Sequence, residues 1–504
     1  MIDPASLVWL VPLLPLLAAA GIAIRVIAGR AVGDRGEVPT AWIAQGAALG
    51  SLALLLALDA LAAIGGPPGQ VILGTWLASG DFAVKLSFTL DALALSVATL
   101  VAAIGAVTVR FSVNYLHREP GFHRFFMILS LFLAGMLLIV LAGNAVLTFV
   151  GWELAGVSSY LLIGYAYDRP AATGNALWAF VSNRIGDAGF ILGIALAAMW
   201  LGTVEWPQLA AAAALDALTI RFLLIGFLLA ALVKSAQVPF APWIARALEG
   251  PTPSSAVFYG SVMVFAGVYL VIRLEPLLTQ VPDLMALLAI TGALTVLYGW
   301  LGGLVQTDVK SALMFGTTTQ VGLMFLACGL GWFELAAWYL GLHALWRAYQ
   351  FLMAPSYMHL AGRPARPVPA WLAGRRALYT AALQRFWLEH LAQGLLVRPM
   401  QAVGRDMRAF DDEVLSRMVG MPPDEADGDE ADEVIHGRGL AGRILAWVAG
   451  HLQRFETHLV LRGGGGPAER LMRKAGAALL VVEGLLERPR YLLLLVLATF
   501  AVIL

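Results

Sequence analysis

Long apolar segments recur through the first 360 residues of this chain, and each is about the length of a membrane-spanning helix. A helix needs roughly 20 mostly apolar residues to cross about 30 Å of hydrocarbon. Of the 504 residues, 60% are hydrophobic and 13% are charged, whereas soluble domains carry about 25% charged residues. The segments predict eleven spans, at about 6–29, 41–64, 86–109, 122–142, 144–166, 173–202, 217–248, 252–274, 283–305, 310–330 and 333–360.

The predicted fold class is an all-α, polytopic bundle of transmembrane helices. Backbone polar groups have no water to bond in lipid, and segments of this length suit helices rather than barrel strands. The first segment lacks a basic n-region and a cleavage site, so we interpret it as a span and not a removed signal peptide. A net charge of +0 argues against nucleic acid as a partner. The single cysteine, Cys328, leaves no disulfide or Cys-rich metal site, so we expect no cofactor and no metal.

Basic residues predict the orientation of the bundle. They cluster in alternate loops, and the intervening loops are nearly free of them; the basic positions are Arg25, Arg30, Arg35, Arg110, Arg118, Arg124, Arg169, Arg246, Arg363 and Arg366. Because Lys and Arg mark cytoplasmic loops, the N-terminus is predicted to lie outside a bacterial inner membrane, with residues 361–490 in the cytoplasm.

Composition divides the chain into four parts. Residues 1–120 carry the N-terminal spans and residues 121–360 the core spans. Residues 361–490 form a polar, amphipathic tail with an acidic linker at 424–433, which we interpret as a solvated loop. Segments near 377–404 and 438–461 have apolar residues at helical spacing, which predicts helices lying on the membrane or on a partner. Residues 491–504 form a last apolar segment that is short for a span.

Ionisable residues within the spans are the candidate functional groups. Each costs at least about 2.5–3.5 kcal/mol at bilayer depth, so such residues are candidates for function. They are Glu153 in span five, Arg184 and Asp187 in span six, Lys234 in span seven, Lys310 at the start of span ten, and His343 and Arg347 in span eleven. The alternative is that they form static ion pairs between helices; the i,i+3 spacing of Arg184 and Asp187 favours such a pair.

Two prolines predict a broken helix at span seven. Pro239 and Pro242 follow Lys234 closely, and each removes a backbone donor. A break at membrane depth is tolerated where it lines a cavity or is covered by protein. Because burial makes a lysine easier to deprotonate, a lysine at such a break is suited to a proton relay.

Three segments resemble a known family. GNAVLTFVGWELAGVSSYLLIGY (143–165), KSAQVPFAPWIARALEGPTPSSAVFYGSVMVFAGVYL (234–270) and VQTDVKSALMFGTTTQVGLMFLACG (305–329) resemble the antiporter-like subunits of respiratory complex I, in particular subunit L, and the large subunit of Mrp-type antiporters. The resemblance covers roughly residues 85–355. It implies a proton-translocating membrane subunit without a redox centre, which works within a multisubunit assembly.

The resemblance also implies roles for individual residues. Glu153 and Lys234 match the family's essential glutamate–lysine pair, Lys310 matches a central lysine of a second half-channel, and His343 matches a histidine near it. Tyr259 and Tyr339 stand where histidines are usual, and Arg347 stands where a lysine is usual. Arginine is effectively always protonated, so Arg347 is not expected to relay protons.

One departure leaves the function open between alternatives. The family's second broken helix has no counterpart after span eleven. Either another polypeptide supplies those helices, or the chain serves a soluble partner docked on residues 361–490. The second alternative resembles relatives that pair with a zinc-containing subunit in bacterial inorganic-carbon accumulation. A third hypothesis is that the chain is an independent Na⁺/H⁺ exchanger. We expect no hydrolytic or redox site in the chain itself.

Overall fold

Helices account for most of the described protein. The computed structural model describes residues 4–399, apart from 32, 81, 212–215, 262 and 361–366, together with residue 402. Residues up to Val397 form one compact unit. The predicted acidic linker, the helix at 438–461 and the apolar segment at 491–504 lie outside the described residues.

In the described part of the chain, ten long helices follow one another in chain order. They are α1 (Leu10–Ile27), α2 (Gly33–Gly65), α3 (Ala92–Tyr115), α4 (Phe122–Leu141), α5 (Ala145–Ile163), α6 (Pro170–Leu201), α8 (Ala217–Lys234), α13 (Pro282–Gly303), α14 (Val309–Gly329) and α15 (Phe333–Leu360). The short helices are α7 (Trp206–Ala211), α9 (Pro242–Arg246), α10 (Thr252–Ser255), α11 (Ala266–Arg273), α12 (Glu275–Leu278), α16 (Ala370–Ala373), α17 (Arg376–Leu383) and α18 (Leu388–Ala392). Side-chain and backbone caps mark several helix starts, as when Asn144 accepts a hydrogen bond from the Leu147 amide at 2.8 Å.

The prediction of a polytopic helical membrane bundle is confirmed. Among the described residues, nine helices are long and apolar enough to cross a membrane, and they correspond to nine of the eleven predicted spans. Predicted span eight is divided between α10, a π-helical segment (Ala256–Ser261) and α11. Predicted span eleven is α15, a continuous helix of 28 residues, whose polar residues lower its hydropathy.

The sequence analysis did not predict the β-hairpin that precedes the third span, and it therefore placed the start of that span too early. Strand β1 (Gly69–Ser79) pairs antiparallel with β2 (Phe82–Leu90), so α3 begins six residues later than predicted. The alternating pattern of these strands and the tight turn at Gly80 were the available signals. Buried Glu205 attaches the hairpin to the bundle, because its carboxylate accepts hydrogen bonds from Gln70 at 2.7 Å and Ser87 at 2.6 Å.

Helix α4 forms the centre of the N-terminal half. In the most apolar part of α4, 78% of the residues are buried, and the helix contacts α1, α2, α3 and α5. Glycines bring α4 and α5 close together, because a Cβ on Gly151 would lie 2.7 Å from the Gly135 carbonyl oxygen. This close approach determines where the polar side chains of α5 lie.

An ion pair between Arg273 and Asp91 joins the start of α3 to the end of α11. The Arg273 guanidinium donates to both oxygens of Asp91 and also to the Tyr269 hydroxyl. Burial raises the pKa of the Asp91 carboxyl, but the hydrogen bonds and charge of Arg273 outweigh it and leave the pKa below the ordinary value of 3.8. The pair therefore stabilises the fold at neutral pH, and this contribution disappears as the pH falls below about 4.

We expect Asp91→Ala to destabilise the protein by about 2 kcal/mol, since it removes a helix cap and leaves a mostly buried arginine unpaired. Thermal unfolding of the detergent-purified chain measures the effect. Asp283→Ala is the matched control, because Asp283 makes a similar two-point contact with Arg221 in an exposed position. Equal melting temperatures for Asp91→Ala and the control would contradict the assignment.

The first part of the tail packs against the chain's own core. The Glu389 carboxylate pairs with Arg246 next to the broken helix, and the Trp178 indole donates to Gln393. Trp371 stacks on Trp300 with ring centroids 5.6 Å apart. Residues 370–397 therefore join the same compact unit as the spans, where the sequence pattern left open whether they lie on lipid or on a partner.

Candidate functional site

Three helices bring four of the predicted residues together inside the bundle. Glu153 lies in the middle of α5, Arg184 and Asp187 lie in the middle of α6, and Lys234 is the last residue of α8. Helix α6 packs against both α5 and α8. We call Glu153, Arg184, Asp187 and Lys234 the charge cluster.

Arg184 lies between two carboxylates. Its Nη1 donates to Glu153 Oε2 at 2.5 Å, and its Nη2 lies 2.8 Å from Asp187 Oδ2. The expected i,i+3 contact with Asp187 is confirmed, whereas the partnership with Glu153 crosses between helices and was not foreseen. The guanidinium also lies over the Phe180 ring, 4.2 Å from its centroid. One cation therefore neutralises part of the charge of two acids.

Lys234 is the most enclosed member of the charge cluster, with 1% of its surface exposed. Its ammonium donates to the Trp152 carbonyl oxygen at 3.2 Å and lies 4.9 Å from the centroid of the Trp152 ring. Among the described residues, no carboxylate oxygen lies within 4.0 Å of Lys234 Nζ. A buried ammonium without a direct carboxylate partner is costly, so its charge is held by weaker contacts.

The break predicted at span seven begins directly after Lys234. Helix α8 ends there, the backbone turns through Ala236 at a φ of 49°, and α9 begins at Pro242. Neighbouring groups bond to the freed backbone: the Trp243 indole donates to the Val233 carbonyl at 2.8 Å, and the Val238 amide donates to Thr295 at 2.9 Å. The break is therefore covered by protein, as irregular backbone at membrane depth requires.

His343 and Arg347 form a second polar group on α15. They are 8% and 7% exposed, respectively, and lie one helical turn apart. The Arg347 guanidinium packs against Gly316 of α14, where a Cβ would lie 3.1 Å from Nη2. No carboxylate of the described residues forms an ion pair with Arg347. The charge on α15 is thus buried but not neutralised within the described part of the protein.

The two tyrosines noted in the sequence lie near this second group. The Tyr259 hydroxyl donates to the Ile244 carbonyl at 2.6 Å, and its ring stacks on Phe351. The Tyr339 hydroxyl donates to Gln320, and its ring centroid lies 5.8 Å from that of His343. The Phe265 ring meets His343 edge-on at 6.0 Å. Two aromatic rings, those of Phe265 and Tyr339, therefore lie against the His343 imidazole.

Lys310 belongs to neither group. It is the second residue of α14, next to the Asp308 cap, and it is partly exposed. Gly316, which faces Arg347, lies six residues further along α14, a rise of about 9 Å. A relay role for Lys310 stays a prediction.

Two residues of the site were missed by the sequence reading. Trp152 contacts both Lys234 and Asp187, since its indole also donates to Asp187 Oδ1 at 3.0 Å. Gly156 leaves room for both cations, because a Cβ there would lie 3.1 Å from Arg184 Nη2 and 3.6 Å from Lys234 Nζ. The sequence did contain a signal for each residue: Trp152 is adjacent to Glu153, and Gly156 is a small residue about one helical turn after Glu153. Across the residues the structure describes, no group of three or more His, Cys, Asp or Glu side chains is placed to hold a metal ion.

Family models match two parts of the chain. Residues 142–363 match the model described as NADH:quinone oxidoreductase/Mrp antiporter, TM. Residues 76–126 match the model described as NADH-Ubiquinone oxidoreductase (complex I), chain 5 N-terminus. The charge cluster, His343, Arg347 and Lys310 all lie within the first match.

Curated proteins with similar sequences carry related names. The chain is 40% identical over 359 residues to NADH-quinone oxidoreductase subunit L from Mycobacterium tuberculosis, covering 70% of this chain and 55% of that protein. It is 33% identical over 363 residues to NAD(P)H-quinone oxidoreductase chain 5 from Synechocystis, covering 70% of this chain and 53% of that protein. The chain therefore spans about half the length of the curated relatives it matches.

Two solved structures share the fold. A chain of the Mrp complex from Dietzia aligns with a TM-score of 0.60 at 24% identity, over 98% of this chain and 62% of that chain. A chain of an archaeal respiratory complex, the membrane-bound sulfane sulfur reductase, aligns with a TM-score of 0.59 at 22% identity, over 71% of this chain and 57% of that chain. At these identities the likeness extends to the fold alone.

Proposed function

Because the chain belongs to the family of antiporter-like membrane subunits of complex I and Mrp assemblies, we propose that it moves protons across the bilayer along the charged residues of its spans. The observation that carries the proposal is the charge cluster at the middle of α5 and α6 and the end of α8. Glu153, Asp187 and Lys234 are the titratable members of the relay. His343 and Lys310 continue it toward the second half of the chain.

The contacts of the charge cluster favour transport over a purely structural role. A static clamp between helices would place each cation against a carboxylate, as Arg184 does with Glu153 and Asp187. Lys234 instead lies at a helix break, and no carboxylate of the described residues contacts its ammonium directly. Since its charge is not committed to an ion pair, less energy is needed to move its proton. Arg184 holds the two carboxylates near it and stays charged throughout.

The membership of this family also supports a proposal about where the chain lies and which proteins it binds. We place the chain in a bacterial inner membrane with its N-terminus outside, which the alternation of basic loops supports. Similar proteins are subunits of multisubunit membrane complexes, so other membrane subunits are the proposed partners. A soluble partner on residues 361–490 is the finer part of the proposal, and mass spectrometry of the gently purified assembly identifies what accompanies the chain.

Proton uptake by inverted membrane vesicles tests the proposed function. Vesicles from the source cells are energised, and acidification of their interior is followed with a pH-sensitive dye. We expect deletion of the chain to remove a component of uptake that returns when the full chain is re-expressed, and an uncoupler to abolish it. Identical uptake with and without the chain in the re-expression series would refute the proposal.

A further inference from the structure

Trp152 contacts two opposite charges at once. Its indole N–H donates to Asp187 Oδ1 at 3.0 Å, while its carbonyl oxygen accepts from the Lys234 ammonium at 3.2 Å. The face of its ring lies 4.9 Å from the same ammonium. The next residue, Glu153, binds Arg184. Two consecutive residues of α5 therefore contact all the other charged members of the charge cluster.

Packing holds Trp152 in this position. The side chain is 1% exposed, and its ring meets Phe190 of α6 edge-on at 5.2 Å. The preceding residue, Gly151, lies against α4 so closely that a Cβ would be 2.7 Å from the Gly135 carbonyl oxygen. Gly156, one turn later, has no side chain to cover the Trp152 carbonyl, which leaves that oxygen open to Lys234.

The position of Trp152 separates the ammonium from the carboxylate. An aromatic face stabilises a cation less strongly than a carboxylate does in a dry site. The indole N–H meanwhile stabilises the ionised form of Asp187. Each charge thus has a partner, yet the two do not close into a direct ion pair that would have to be broken whenever a proton moved. The charged groups around Asp187 are Arg184 on its own helix, Glu153 on α5 and Lys234 on α8, and Trp152 contacts Asp187 and Lys234 directly.

We propose that Trp152 is a positioning residue for proton transfer, which keeps Lys234 and Asp187 apart and separately stabilised. The inference rests on the proposed function, because it assigns a role within the same relay. Removal of the indole allows Lys234 and Asp187 to approach and pair directly, which slows transfer. Loss of its N–H also makes Asp187 easier to protonate, because the ionised carboxylate loses a hydrogen bond.

Two substitutions separate the contributions of the ring and its N–H. Trp152→Phe keeps an aromatic face and loses the donor, whereas Trp152→Leu loses both. Trp206→Phe is the matched control, since Trp206 is also buried and donates to a neutral acceptor, Thr148 Oγ1, at 3.1 Å. Each full-length variant is expressed in the source cells, and proton uptake by inverted vesicles is measured against pH per folded chain, counted by size-exclusion chromatography.

We expect uptake to fall about tenfold in Trp152→Phe, the effect of losing one hydrogen bond to a charged group, and further in Trp152→Leu. The acid side of the pH–rate profile moves to higher pH in both variants. The infrared C=O band of the protonated acid, assigned with Asp187→Asn, appears at higher pH as well. The control keeps the wild-type rate and profile.

Different results overturn the inference and the proposed function. If Trp152→Phe and Trp152→Leu match the control in rate, pH profile and infrared titration, Trp152 does not position the relay. That result leaves the proposed function standing as long as Lys234→Ala still stops uptake. Undiminished uptake in both Lys234→Ala and Glu153→Gln removes the relay itself.

Discussion

Replacement of Lys234 by alanine is expected to lower proton uptake through this chain by about 10²-fold or more, the scale of losing a group that transfers protons directly. Lys234 is buried at the end of α8, and no other lysine lies within the charge cluster. Alanine removes the buried alkyl chain together with the ammonium and so leaves a cavity. Uptake by inverted vesicles measures the effect, and the amount of folded chain corrects for expression.

Glu153→Gln tests the acidic side of the same relay. Glutamine preserves the shape and still accepts a hydrogen bond from Arg184, but it cannot release a proton. We expect a similar loss of uptake with the chain still folded. Lys85→Ala on the hairpin and Glu119→Gln in a surface loop are the matched controls. Wild-type uptake in both Lys234→Ala and Glu153→Gln would show that protons do not pass through the charge cluster.

Gly267→Ala is expected to lower the free energy of unfolding more than Asp91→Ala does. Gly267 lies on α11 against the last turn of α8, and a Cβ there would overlap the Ala231 carbonyl oxygen and Ser235 Oγ. Both atoms lie within three residues of Lys234. Since a backbone atom cannot move aside as a flexible side chain can, the helices must separate. Overpacking of this kind costs about 1–3 kcal/mol, and we expect the upper end.

Thermal unfolding in detergent measures this effect, and proton uptake reports its consequence for the site. Gly46→Ala on α2 is the control, because no atom of the described residues lies within 4 Å of a Cβ at that position and alanine favours a helix over glycine. We expect a lower melting temperature and reduced uptake for Gly267→Ala, and an unchanged or higher melting temperature for the control. If both variants melt together, α8 and α11 are not in the tight contact that the structure describes.

The tight contact between α8 and α11 connects stability to function. Ser235, the first residue of the break, donates from its hydroxyl to the Val264 carbonyl at 2.6 Å. Phe265, next along the chain, meets His343. The segment between α10 and α11 therefore touches the break on one side and the second polar group on the other. A change at Gly267 is expected to disturb both groups.

The two ion pairs of the charge cluster differ in how far the sequence predicts them. The contact of Arg184 with Asp187 was predicted, whereas its contact with Glu153 was not. Arg184 and Asp187 lie three residues apart on one helix, so helical geometry alone brings them to one face. Glu153 and Arg184 are 31 residues apart, and their contact depends on how α5 packs against α6. Spacing within a helix carries no information about the angle at which two helices meet.

The features that depend on local chemistry could be predicted from the amino-acid sequence. Runs of apolar residues identified the spans, since the cost of exposing polar groups to lipid is paid by each segment independently. Pro239 and Pro242 located the helix break, because proline removes a donor wherever it lies. The ionisable residues within the spans were recognisable for the same reason, before any partner was known.

Which of these groups contact one another depends on how the helices pack, and this was visible only in the folded protein. The packing placed Trp152 between Lys234 and Asp187, left Lys310 at a helix end, and packed residues 370–397 against α6, α9 and α13. The hairpin also emerged only from the pairing of two strands. These arrangements follow from close packing between segments distant in the chain, where single glycines such as Gly151 set how near two helices approach.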